Sequence, residues 1–373
     1  MREAVIIDAI RTPIGKRNGF LSGMRPDFML AEVMSNLIIK NEISVELLDE
    51  IIIGHSPLIG EAASEMVKLA GISTGIPMHN LGAIISRQCR SSQQAVNLAA
   101  QAILSGDHDI VIATGVEFVS GFSKLLNKNV WKEINKQRVA AERIADIWGI
   151  SRKHLDQYAL NSRQRAFQAK KEGRFEKEIL PLDLIQPNGK TIEVKHDSHL
   201  TKEYSIEDLS LIQPFFQENG KIHIGNSGKI SDGAGAVLLM SNTRAEEMGL
   251  RPRFRILNRT VLGTDPSILY TGLIKGTNEA LVNAGINIDQ IDIFEINEDY
   301  ASVPLIWLQE TKADPSKLNP NGGAIALGHP VAATGIRMLS TMIHELDRIS
   351  GRYGLMGVCE VNGIVNVTIV ERI

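Results

Sequence analysis

The sequence predicts an α/β protein with largely buried strands, on three observations. Short apolar runs of strand length alternate with helix-length stretches, the alternation returns near the C-terminus after a long polar interval, and the phrase Gly-Ala-Ile occurs in both halves, at 82–84 and 323–325. Near-continuous apolar runs are what strands covered on both faces require, and helices between them are the usual cover.

In chain order, AVIIDAI (4–10), EIIIG (50–54) and DIVIATG (109–115) read as strands, and SSQQAVNLAAQAILSG (91–106) as the helix between the second and third. From about 118 to 245 the character changes. A charged helix is predicted over 151–173, followed by polar segments punctuated by Pro and Gly, the composition of an inserted loop region rather than a third core. GNSGKISDGAGAVLLMS (225–241) then turns from a glycine-rich loop into a buried strand, and FRILNRTVLG, IDIFEIN and GLMGVCEVNGIVNVTIVE follow as strands, with helices at EALVNAG and IRMLSTMIHEL. The two Gly-Ala-Ile phrases precede Cys89 and His329, each followed by an Ala- or Ser-rich helix, which suggests two halves of similar design.

Composition narrows the function. A chain of 373 residues makes one large domain or two related ones, and a formal charge of −3 gives no basic field for nucleic acid. The two cysteines, Cys89 and Cys359, are too far apart for a CxxC redox pair or a Cys-rich zinc site, so no metal is expected and a reducing compartment is the simpler reading. The opening MREAVIID lacks the layout of a signal peptide, and no apolar run approaches the roughly 20 residues that span a bilayer. A soluble, cytoplasmic protein with no membrane partner is expected.

Three segments carry chemistry. Cys89 directly precedes a helix, whose unsatisfied N–H groups favour a thiolate; the alternative is a small buried hydrophobe, although Arg87, Gln88 and Arg90 are an odd setting for one. His329 follows Gly322, Gly323 and Gly328, which permit the close backbone approach a ligand-lining loop needs, or it is a solvated loop histidine. Asn297 ends the strand IDIFEI, where open α/β sheets place their chemistry, or it caps the next helix.

Read together, these segments resemble the thiolase family over essentially the whole chain. RTPIG (11–15) is similar to the family's opening strand-turn, ISRQC (85–89) to its nucleophile segment, SDGAGAVLLMS (231–241) to its central strand and NEDYA (297–301) to its NEAFA-type motif. NPNGGAIALGHPVAATG (319–335) is the most specific match, and VCEVNG (358–363) stands where the family has its second cysteine. The resemblance implies a five-layered αβαβα fold of two pseudo-symmetric halves with an inserted loop domain, divided as 1–117, 118–224 (inserted), 225–245 and 246–373. It implies that Cys89 takes the acyl group from a thioester, that His329 activates it, that Asn297 holds a water, and that Cys359 removes the α-proton of the second thioester. Cys89, His329 and Val361 would supply the oxyanion holes. Coenzyme A or acyl-CoA would be substrate, with no permanently bound cofactor. Ketosynthase-type condensing enzymes use Cys-His-His, and Asn297 at the position of their first His favours thiolase chemistry.

The departures cluster around substrate binding. The glycine-rich run after the second cysteine is here Glu360-Val361-Asn362-Gly363, and Arg90 stands beside the nucleophile, either lowering its pKa or pointing away. The chain is short between Glu117 and a helix expected near Ala140, which removes the loop that joins dimers into tetramers; a homodimer is therefore expected. Thr201 and Gly228 replace an arginine and a serine that face CoA, with Lys202 and Lys229 as substitutes for the lost charge, and LYTGLIKGT (269–277) replaces a GPxP-type segment. Three functions fit: a thiolase condensing acyl-CoA units or cleaving 3-oxoacyl-CoA, a related enzyme acting on a carrier-protein-bound or specialised biosynthetic substrate, and a non-catalytic acyl-ligand binder. The first is the leading reading, the shortened loop and altered CoA-facing residues motivate the second, and retention of Cys89, Asn297, His329 and Cys359 argues against the third.

Overall fold

Strand β1 (Ala4–Arg11) is buried along its whole length, as a mostly apolar run interrupted only by Asp8 before Arg11 requires. The computed structural model describes residues 2–56, 69–77, 80–122, 128–185, 188–200, 204–216, 219–360 and 362–373. The strands that follow are β2 (Gly15–Lys16), β3 (Glu50–His55), β4 (Leu81–Ile85), β5 (Ile110–Glu117), β6 (Leu182–Ile185), β7 (Thr191–Val194), β8 (Ser231–Ser241), β9 (Phe254–Gly263), β10 (Ile293–Ile296), β11 (Tyr353–Cys359) and β12 (Ile364–Arg372). All but β6 and β7 join one hydrogen-bonded path, β4-β3-β5-β8-β1-β9-β12-β11-β10, with β2 beside β8.

That path is two copies of one plan. In the first half β3 and β5 are parallel, and β8 and β1 follow antiparallel. In the second, β10 and β11 are parallel, and β12 and β9 follow antiparallel. The sheets of the two halves join edge to edge through a short antiparallel pairing of β1 with β9, Val5 with Arg255 and Ile6 with Phe254. The Gly-Ala-Ile echo is looser than the sequence suggests. Residues 82–84 lie in β4, whereas 323–325 open a short helical turn, and the counterpart of β4 is a single parallel bridge from Leu318 to Phe294.

The layering follows from which helices fill the space between the two halves. Helices α1 (Pro26–Lys40) and α2 (Ser91–Ser105) belong to the first half. α1 packs Met29, Val33 and Leu37 on one side of its strands, with Ile51, Ile112 and Leu238. α2 puts Ala95, Val96, Ala99 and Ile103 on the other side, into a central cluster shared with Ile336, Leu339 and Ile343 of the last helix and with Met356 and Val358 of β11. The two central helices cross tightly, since a Cβ on Gly335 would lie 2.4 Å from the Gln93 amide nitrogen. The outer face of the second half carries a third cluster around Leu273, Ile306 and Trp307. Helix, strand, helix, strand, helix is the expected five-layered order.

Between β5 and β8 lie helices α3 (Lys128–Ile147) and α4 (Arg152–Lys171) and the β6–β7 ribbon. Helix α3 starts twelve residues before the point near Ala140 that the sequence suggests. Its first turns are mostly polar in sequence, and its register is fixed downstream by Ala141, Ile144 and Ala145, which enter the same cluster as Trp307. Arg11 anchors the region: its guanidinium donates to Glu178 at 2.9 Å and to both Asp197 oxygens at 2.8 and 3.0 Å, all buried. After β9 come α5 (Gly272–Ala284), α6 (Ser302–Thr311) and α7 (Thr334–Ile349). No helix among the described residues is long and apolar enough to cross a membrane.

Candidate functional site

Cys89, Asn297, His329 and Cys359 come from four segments and meet where the two halves face each other. Cys89 lies in a 3-10 turn (Gln88–Arg90) that feeds α2; Gln88 takes φ +50°, and the Ser91 hydroxyl accepts from the Arg87 amide at 2.8 Å to close the turn. Asn297 follows the last residue of β10, and its amide donates to the Gly357 carbonyl of β11 at 3.0 Å. It caps nothing, because α6 begins only at Ser302. His329 is stitched to the segment entering β8: its amide donates to the Lys229 carbonyl at 2.7 Å and its carbonyl accepts from the Ser231 amide at 3.1 Å. Cys359 ends β11, its thiol 3.3 Å from the Leu269 carbonyl. All four side chains are buried.

The electrostatics of this cluster run against the sequence expectation. A helix start favours a thiolate, but here burial dominates and raises the Cys89 thiol well above its ordinary value, with Asp299, Cys359, Glu117 and Glu360 adding to the rise. Cys359 is raised by burial, Asp299 and Glu360, against which Arg90 pulls down. Arg90 therefore serves the second thiol, not the first. Its Nε lies 2.9 Å from Glu360 Oε2, and its Nη1 donates to Asn366 Oδ1 at 2.8 Å. Both resting thiols are neutral and need a proton acceptor before they can react.

Both ring nitrogens of His329 have polar neighbours. Nδ1 lies 2.8 Å from the Thr334 hydroxyl, and that hydroxyl lies 3.0 Å from the Pro330 carbonyl. Nε2 lies 3.2 Å from Asp299 Oδ1, while Asn297 Nδ2 donates to Asp299 Oδ2 at 2.9 Å. Ligand atoms of Cys89, Asp299 and His329 all fall within 4.8 Å of one another. Cys, Asp and His are also donor types that zinc accepts, and no other such trio stands this close among the described residues.

Three carboxylates at this site escape sequence reasoning. Asp299 reads there only as part of a motif. Glu298, fully buried, accepts from Tyr158 at 2.9 Å, Ser162 at 2.8 Å, Asn319 at 3.0 Å and the Ile325 amide at 3.1 Å, so it ties α4 to the segments bearing Asn297 and His329. Glu117, at the end of β5, accepts from the Ala332 amide at 3.0 Å, and burial pushes its carboxyl up to about 7. A run of two acids after a strand is the only signal the sequence offers for the first two.

Of the residues assigned to CoA, Thr201 and Lys202 lie outside the described residues, as does Val361 of the second oxyanion hole. Gly228 donates its amide to the Asp299 carbonyl at 2.9 Å, and a Cβ there would lie 2.8 Å from the Glu298 carbonyl oxygen, so the close approach of the two backbones itself requires glycine. Lys229 is partly buried, 5.9 Å from the Tyr204 ring centre, and burial beside Arg163 lowers its ammonium to about 8.

The chain is similar to known proteins over its whole length. The family model described as thiolase, N-terminal domain, matches residues 4–139 and 136–243, and that described as thiolase, C-terminal domain, matches 250–372. The chain is 40% identical over 394 residues to the steroid 3-ketoacyl-CoA thiolase FadA6 of Mycobacterium tuberculosis, covering 100% of this chain and 95% of that protein. It is 36% identical over 387 residues to the 3-ketoacyl-CoA thiolase of Idiomarina loihiensis, covering 100% of both. Among solved structures, human mitochondrial 3-ketoacyl-CoA thiolase in complex with CoA is similar with a TM-score of 0.93 at 29% identity, covering 100% of this chain and 98% of that one.

Proposed function

This chain belongs to the thiolase family, and from that premise we propose how its residues divide the work of an acyl-CoA acyltransferase that condenses two acyl-CoA units or thiolytically cleaves a 3-oxoacyl-CoA. The observation that carries the reading is the convergence of two buried thiols with one imidazole and one carboxamide at the junction of the two halves. Cys89 attacks the thioester carbon. Its raised thiol pKa means that the proton must leave as the bond forms, a task for His329, and positioned proton transfer of this kind is worth roughly 10²- to 10⁴-fold. The oxyanion is received by His329 Nε2 and by a water held at Asn297, whose buried Oδ1 has no hydrogen-bond partner among the described residues. Expulsion of CoA leaves acyl-Cys89.

In the second half-reaction Cys359 removes the α-proton of the incoming acyl-CoA, and the carbanion attacks acyl-Cys89. The backbone amides of Cys89 and Val361 receive the enolate and tetrahedral charges. Arg90 lowers the Cys359 thiol relative to burial alone, which moves it toward the range a base needs. CoA enters as substrate past Gly228 and Lys229, with Thr201 and Lys202 toward its nucleotide. The division into 1–117, an inserted 118–224, 225–245 and 246–373 is part of the proposal. So are a cytoplasmic location and a homodimer; β4 is one edge of the sheet among the described residues and exposes Ile84, a surface that a second copy would cover. The test is thiolysis: incubation with a 3-oxoacyl-CoA and CoA yields acetyl-CoA and the acyl-CoA shortened by two carbons, and absence of both products across short and long chains refutes the proposal.

A further inference from the structure

Three tyrosines are buried, and they differ in what their hydroxyls do. Tyr158 donates to Glu298 at 2.9 Å, and Tyr300 is hydrogen-bonded to Arg138. Tyr270 is 1% exposed, and its hydroxyl has no hydrogen-bond partner among the described residues. An orphaned buried hydroxyl is rare and costly, so it asks for a partner that arrives from outside.

Tyr270 stands beside the second thiol. The 3-10 segment Pro266–Thr271, kinked at Ile268 (φ −135°, ψ 40°), leads into α5 and lays the Leu269–Tyr270 peptide against Cys359, whose Sγ lies 3.3 Å from the Leu269 carbonyl oxygen. The Tyr270 ring also meets the Tyr300 ring edge-on, with centroids 6.0 Å apart, and Tyr300 directly follows Asp299. These contacts put the ring next to both Cys359 and the segment that carries Asn297. Burial, then Tyr300, Asp299, Cys359 and Cys89, raise the phenol well above its ordinary value, so it stays a neutral donor. Other donors nearby are committed: Arg90 to Glu360 and Asn366, and Asn297 Nδ2 to Asp299. Tyr270 belongs to LYTGLIKGT, the stretch that stands in place of the GPxP-type segment.

We propose that Tyr270 is a further catalytic residue, whose hydroxyl donates a hydrogen bond to the enolate oxygen of the two-carbon unit on which Cys359 acts; the inference rests on the proposed function. In cleavage, the Cys89 sulfur bonds to the 3-oxo carbon, and His329 takes the thiol proton. When the resulting oxyanion collapses, the bond from the 3-oxo carbon to the α-carbon breaks. Its electron pair forms a double bond to the thioester carbon, and the thioester carbonyl pair moves onto oxygen. That oxygen accepts from Tyr270, which keeps its proton, while the Cys359 thiol protonates the α-carbon to give acetyl-CoA. Cys359 regains a proton from the thiol of the incoming CoA, which attacks acyl-Cys89, and His329 returns its proton to Cys89. Condensation runs the same steps backward. A donor already in place and unpaired needs no rearrangement when the charge develops.

The test is Tyr270→Phe, which removes one oxygen and keeps the ring. The kcat for thiolysis of a 3-oxoacyl-CoA and the rate of α-proton exchange of acetyl-CoA in deuterium oxide should both fall about 10²- to 10³-fold, with KM unchanged. Acetylation of Cys89 by acetyl-CoA should keep the parent rate. The melting temperature should hold or rise, because no hydrogen bond is lost. Undiminished exchange, a loss of acylation equal to the loss of exchange, or a raised KM at unchanged kcat overturns the inference. So does a lower melting temperature, which would show that the hydroxyl is already bonded in the free protein. A parent that acylates and exchanges, matched by Tyr270→Phe in both, sinks this inference and leaves the proposed function standing; a parent that does neither with any acyl-CoA sinks both.

Discussion

Replacing Arg90 with methionine removes the guanidinium and leaves the Glu360 carboxylate behind. The two side chains are 2% and 4% exposed, with Nε and Oε2 2.9 Å apart, so little solvent can take over the stranded charge. Breaking a buried pair from one side costs about 3–5 kcal/mol, whereas replacing both partners with apolar groups is close to neutral. For 373 residues the unfolding entropy is about 0.8 kcal/mol per kelvin at the midpoint, so Arg90→Met should lower the melting temperature by about 4–6 °C. The double variant Arg90→Met/Glu360→Met should recover most of that loss, the remainder being the hydrogen bond from Arg90 to Asn366. Thermal unfolding followed by circular dichroism at pH 7 on the parent, both single variants and the double variant closes the cycle. A double variant that falls by the sum of the singles, or an Arg90→Met protein that melts with the parent, refutes the argument. Because Arg90 also holds the Cys359 thiol down, the same single variant should move Cys359-dependent α-proton exchange to higher pH.

Glu298→Gln puts an amide where one carboxylate oxygen accepts from two donors, and the buried hydrogen bonds it breaks are worth about 2–4 kcal/mol. It should melt about 3–5 °C lower; an unchanged melting temperature would show that the four bonds are dispensable. Glu117 binds its proton more tightly when folded, up to about 7. Its contribution to stability is therefore complete below the unfolded value of about 4.3 and is lost as pH rises to about 7. Denaturant unfolding at pH 5 and pH 7.5 should show less loss of stability in Glu117→Gln than in the parent, by about 2–3 kcal/mol. Equal losses would mean that Glu117 is already ionised when folded.

The strands were legible because burial on both faces writes itself as runs rich in apolar residues, and β1, β5 and β8 are each buried from end to end. Helix α3 was legible only from Ala140 onward, where its residues meet Trp307; the earlier turns are mostly polar, Lys128, Lys132 and Glu133 among them, and read as loop. Cys89, His329, Asn297 and Cys359 could be picked out because each sits in an unusual local phrase. What those phrases could not convey was the company each residue keeps. Arg90 is next to Cys89 in sequence and acts on Cys359, because its carboxylate partner lies 270 positions away at Glu360. Asp299 reads as one polar residue in a motif, and only folding sets it between His329 and Asn297.

Formation of an acyl-enzyme on Cys89 tests the account most directly. Intact-protein mass spectrometry after mixing with acetyl-CoA should find one acetyl group per chain, located by peptide mapping at Cys89. The adduct should be absent in Cys89→Ala and present in Cys359→Ala, and the latter protein should no longer exchange the α-protons of acyl-CoA. An acetyl group on Cys359 instead of Cys89, or loss of both acylation and exchange together in Cys359→Ala, would contradict the assignment of nucleophile and base.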